Sequence, residues 1–137
     1  MKRTILAVVA VFVAWSVLDF ILHGMILRST YEATASLWRP MEEFKWGLNY
    51  VVVLISAACF VFIYDRLIAE RSMNTALLYG LVFGIGAGVS MGYGSYTVMP
   101  IPYYLALAWF LGTVVLAVVG GWVAWLIVGR GGRPSSS

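Results

Sequence analysis

Apart from Asp19, the charged residues of this chain fall in four bunches, at residues 2–3, 28–45, 65–71 and 130–133, with long apolar runs between them. The runs cover about residues 5–27, 46–64, 76–98 and 103–128. Each is long enough to cross about 30 Å of hydrocarbon as a helix rising about 1.5 Å per residue. The pattern predicts an all-α integral membrane protein, with four transmembrane helices in an antiparallel bundle over residues 1–129. Residues 130–137, made of Gly, Arg, Pro and Ser, read as a disordered cytoplasmic tail.

The segment 28–45 has a pattern of its own. Thr34, Leu37, Trp38, Met41 and Phe44 recur at spacings of three and four, while Glu32, Ser36, Arg39 and Glu43 take another face. That predicts an amphipathic interfacial segment between helices 1 and 2, with Trp38 and Trp46 as anchors at headgroup depth. Pro40 followed by Met41, Glu42 and Glu43 reads as a helix start, so the second helix is expected to begin there and project above the membrane. Met99-Pro100-Ile101-Pro102 predicts a stiff, tight turn that makes the last two helices antiparallel neighbours.

The third run carries Gly80, Gly84, Gly88 and Gly92 at a strict spacing of four. Small residues on one face let helix backbones approach closely, the main source of helix association in lipid, so these positions are expected to form a packing seam. Gly86 and Gly94 are expected to widen it.

Composition agrees with a membrane chain: 62% hydrophobic and 11% charged residues, with a mean hydropathy of +0.91. Soluble domains run near half apolar and a quarter charged. With both termini inside, Lys2, Arg3, Arg66, Arg71, Arg130 and Arg133 are cytoplasmic, against Arg28, Arg39 and Lys45 outside. The positive-inside rule then predicts a multi-pass protein of a bacterial-type inner membrane with both termini cytoplasmic. The net charge of +3 follows from this bias, and no basic patch with interleaved aromatics suggests a nucleic-acid partner. Lys2 and Arg3 ahead of an apolar run could open a signal peptide. The run is too long for one and lacks a small-x-small end, so a retained anchor is expected. Cys59 is the single cysteine, which excludes a CxxC redox pair and reads as a small packing residue.

Chemistry is sparse. Asp19 and His23 are the ionisable side chains inside a long apolar run, and they stand one helical turn apart. A carboxylate at that depth faces a partner, a cavity or water, because facing lipid costs several kcal/mol. Counting about 1.5 Å per residue puts Asp19 about 4–5 Å and His23 about 10 Å outside the midplane. Ser90, Tyr93 and Asn49 come to matching depths on other helices. The expectation is a polar pocket in the outer half of the bundle formed by Asp19, His23, Asn49, Ser90 and Tyr93. Its plain reading is a structural network; its functional reading is a proton or small-ligand site. A metal or haem at His23 would need more donors than Asp19 and His23, with Glu32 folding back as a third ligand. No cofactor and no catalytic motif is indicated: there is no Gly-x-Ser-x-Gly elbow, and Gly84-Ile85-Gly86 lies within a span.

The sequence therefore points to a small, non-enzymatic membrane protein. It is expected to be a homo-oligomer or an accessory subunit of a larger membrane complex, partnered by lipid and by other membrane chains or itself. The rival is a proton-coupled carrier or ligand-binding membrane protein that uses Asp19 and His23.

Overall fold

The computed structural model describes residues 1–130; the expected tail, apart from Arg130, lies outside the described residues. It is all-helical. In chain order the helices are α1 (Lys2–Ile26), the short α2 (Arg28–Ala33), α3 (Trp46–Leu67), α4 (Met73–Val98) and α5 (Tyr103–Gly129). The four long ones are each long and apolar enough to cross a membrane. The ends of α1 and α5 widen into i→i+5 turns: Leu27 N–H donates to the Leu22 carbonyl at 2.8 Å, and Arg130 N–H to the Trp125 carbonyl at 2.9 Å.

The link between α1 and α3 differs from the expected helix start at Pro40. A single 3₁₀ turn, Met41–Glu43, is followed by extended backbone at Phe44, and α3 begins at Trp46. Residues 41–45 are all exposed, so nothing offsets the cost of nucleating a helix there. The amphipathic stretch is likewise broken into α2 and a 3₁₀ turn, Ala35–Leu37. Its apolar side folds back onto the bundle: Tyr31, Leu37 and Trp38 pack on a cluster of Leu27, Ile101, Leu105, Ala106 and Trp109. Trp38 is thus half-buried, its Nε1 donating to Thr34 Oγ1 at 2.8 Å and its ring 5.9 Å from that of Trp109. Aromatic neighbours and an N–H partner hold it against the bundle. Trp46 remains 51% exposed, its ring 4.4 Å from Phe44.

A second cluster holds the other half of the molecule. Ala7, Val11 and Trp15 of α1 meet Ala57, Phe60, Val61 and Tyr64 of α3, Ala76 of α4, and Ala117, Ala124 and Val128 of α5. Two polar tips inside it find backbone acceptors on neighbouring helices. Trp15 Nε1 donates to the Leu116 carbonyl and Tyr79 Oη to the Phe60 carbonyl, each at 2.7 Å. Each such interhelical bond contributes about 1 kcal/mol in lipid. Gly120 lies flat beneath the indole: a Cβ there would come within 2.8 Å of Trp15 Nε1.

α4 and α5 form the closest pair. A Cβ at Gly84 would lie 2.8 Å from Val114 Cα, and one at Gly88 would lie 2.8 Å from the Phe110 carbonyl oxygen. At Gly80 and Gly92 it would strike the carbonyl oxygens of Ala117 and Ala106. Gly121 completes the series from the other side, against the Ala76 carbonyl. Residue numbers rise along α4 as those of their partners fall along α5. Gly86 and Gly94 do not widen this contact. Nothing lies within 4 Å of a Cβ at either, because an offset of two residues turns about 200° around a helix.

One end of the bundle is fastened by charge. Asp65, at the end of α3, accepts from Thr4 Oγ1 at 2.7 Å and pairs with Arg71 at 3.1 Å and Arg66 at 3.5 Å. Arg71 also donates to the carbonyls of Asp65 and Val128. A single carboxylate thus ties α1, α3, the 3–4 link and α5 together.

Candidate functional site

Asp19 and His23 lie on the last turns of α1, where α1 runs past α5 into α2. They are half-buried, with side chains 34% and 39% exposed. His23 Nε2 stands 3.8 Å from Asp19 Oδ1, an ion-pair distance when the ring is protonated and too long for a direct hydrogen bond. The tighter partner of His23 is Tyr31: Nδ1 lies 2.6 Å from its hydroxyl oxygen. Trp109 of α5 donates its Nε1–H to the same oxygen at 2.7 Å. The two rings of Tyr31 and Trp38 meet edge-on at 5.6 Å, closing the far side.

Trp109 fixes one direction in this network. An indole N–H only donates, so the Tyr31 oxygen accepts from Trp109. Between Tyr31 and His23 the direction follows the imidazole tautomer: with the ring proton on Nε2, on the side of Asp19, the Tyr31 O–H donates to Nδ1. Burial among the aromatic rings pushes the Tyr31 hydroxyl up to about 12, the Trp109 bond opposing and the Asp19 charge adding to the rise. Tyr31 therefore stays protonated through the neutral range. If Nδ1 also takes a proton, it donates to Tyr31, which has a second lone pair to receive it. Indole, phenol and imidazole thus form a hydrogen-bonded line whose imidazole end stands 3.8 Å from the Asp19 carboxylate.

The other expected members of the pocket are elsewhere. Asn49 is exposed on a stretch of α3, residues 46–52, that is bare around its whole circumference. Ser90 is exposed on α4, two residues from Gly88 and so on the side opposite α5. Tyr93 is turned to the mouth of the 4–5 turn, its hydroxyl 3.0 Å from that of Tyr103. None of the three turns toward Asp19 or His23. Glu32 does not fold back as a ligand but pairs with Arg28 at 3.2 Å on the surface. Among the described residues no three His, Cys, Asp or Glu side chains converge. The residues that do complete the line, Tyr31 and Trp109, lie outside the sequence-based set. The spacing of eight between His23 and Tyr31, about two helical turns, was the available signal; for Trp109 on α5 there was none. No family model matches this chain, and comparison with curated proteins and with solved structures finds no similar one.

Proposed function

We propose that this chain is a non-enzymatic assembly subunit of a bacterial-type inner membrane, spanning it as an antiparallel four-helix bundle with both termini cytoplasmic. In this role it packs against a second copy of itself or against another membrane chain. The observation that carries the reading is the back of α4. Gly86, Ser90 and Gly94 repeat the spacing of the glycines that lie against α5, yet all three are exposed and the two glycines have nothing within 4 Å of a Cβ. A face of small residues gives little dispersion energy against lipid tails and much against another helix backbone. The bare outer half of α3 beside it would also be covered in an assembly. Orientation is supported by Lys2, Arg3, Arg66, Arg71 and Arg130 standing at helix ends or links on one side of the Lys/Arg asymmetry.

The test is the mass of the solubilised particle from its own membrane. The native particle should exceed the 15.1 kDa of one chain, and Ser90→Leu should reduce it while helical content is retained. A wild-type particle of single-chain mass, or a Ser90→Leu particle as large as wild type, overturns the reading.

A second reading rests on the Asp19–His23–Tyr31 line, which suits a proton-linked carrier or small-ligand binder. Asp19→Asn separates the two. A carrier loses pH-dependent transport, whereas an assembly subunit keeps its particle mass.

A further inference from the structure

At the end of the molecule opposite the Asp19 site, a cavity of about 180 Å³ opens between the start of α1, the end of α3 and the 3–4 link. Arg3, Thr4, Asp65, Arg66 and Arg71 line it. It is large enough for a phosphate group of five heavy atoms. Three guanidiniums and one carboxylate line the cavity, and that carboxylate is already saturated. Asp65 Oδ1 is held by Arg71 at 3.1 Å, and Oδ2 by Thr4 at 2.7 Å and Arg66 at 3.5 Å. Arg71 is committed to structure, since it also bonds the Asp65 and Val128 carbonyls and is only 18% exposed. Arg66 is 41% exposed, and Arg3 forms no ion pair among the described residues. The cavity therefore keeps fork-shaped donors free around an excess of positive charge. Guanidinium forks match the oxygens of phosphate.

We propose that this cavity is a phosphate-binding site, held chiefly by Arg3 and Arg66 and supported by Thr4 and Arg71. The phosphate comes either from the headgroup of an anionic lipid in the inner leaflet or from a free phosphate in the cytoplasm. The lipid source rests on the membrane reading above; the free-phosphate source does not need it.

The experiment uses the full chain with two arms. In the first, native mass spectrometry counts lipids retained from mixed micelles containing equal phosphatidylglycerol and phosphatidylcholine. In the second, inorganic phosphate is titrated in neutral detergent and followed by phosphorus NMR line width. One double variant, Arg3→Gln with Arg66→Gln, removes two cavity charges. The other, Lys2→Gln with Arg130→Gln, removes two charges at the same end outside the cavity. The expected result is a preference in at least one arm that falls about tenfold or more in the cavity variant and is retained in the control. Preference in the lipid arm alone assigns a headgroup, and in the phosphate arm alone a free anion. No preference in either arm, or equal loss in the two variants, overturns the proposal; equal loss would mean diffuse surface charge. Far-UV circular dichroism on each variant checks folding, and Arg3→Gln alone, which breaks no ion pair with Asp65, should give a loss in the same direction.

Discussion

Replacing Gly84 and Gly86 with alanine should separate two faces of one helix that the sequence presents as a single glycine-rich stretch. A methyl at Gly84 would lie 2.8 Å from Val114 Cα, 3.0 Å from Ala117 Cβ and 3.2 Å from the Val114 carbonyl oxygen. Ordinary contact begins near 3.4 Å, and two of these neighbours belong to backbone that cannot rotate away. α4 and α5 must then part by about half an ångström there, loosening the contacts at Gly80 and Gly88 on either side. Overpacking of this kind costs about 1–3 kcal/mol, or roughly 5- to 150-fold in the folding equilibrium. At Gly86 the same methyl meets open space, and the helix gains up to about 1 kcal/mol from the change of glycine to alanine. The assay is unfolding in mixed micelles of neutral detergent and increasing SDS, followed by circular dichroism and tryptophan fluorescence. Gly84→Ala should unfold at a lower SDS fraction than wild type, and Gly86→Ala at the same fraction or a higher one. Equal midpoints for Gly84→Ala and wild type would refute the close approach of α4 to α5.

Removing the Tyr31 hydroxyl should change the tautomer of His23: in Tyr31→Phe, nitrogen NMR in micelles should show the ring losing its bias toward Nε2–H, and unchanged shifts would mean Tyr31 does not set it. The same variant tests alkaline stability. The folded state holds the Tyr31 proton up to about 12 while the unfolded chain releases it near 10, so that contribution is complete below about pH 10 and lost as pH rises through about 12. Wild type should therefore lose more stability than Tyr31→Phe across that window; parallel losses would place the Tyr31 titration elsewhere. Asp65→Asn should cost about 2 kcal/mol in the SDS assay, because it leaves Arg71 close to carbonyls with no countercharge while Asp65 itself is 11% exposed. An unshifted midpoint would show that Thr4 and Arg71 hold that end without the carboxylate.

The sequence by itself determined the helices: four apolar runs separated by charge become four long helices, since a long run of apolar residues satisfies its backbone only by bonding within itself. It also determined position along each helix axis, because a helix rises by a fixed step per residue, so Asp19, His23, Ser90, Tyr93 and Asn49 could each be placed along their own helix. Rotation was another matter. Each residue turns a helix by about 100°, so which way Ser90 points depends on how α4 is turned against α5. That turn is set by glycine backbones meeting Ala106, Phe110, Val114 and Ala117. The same gap explains Gly86, on the far side from Gly84 although only two residues on. The pairing of His23 with Tyr31 and Trp109 was decided later still, by a broken segment folding its aromatic side onto α5. Asp65 was visible as a charge in a link. Only tertiary structure made it the fastening of three helices, because ion pairing between segments depends on where chain ends meet, and no local periodicity encodes that.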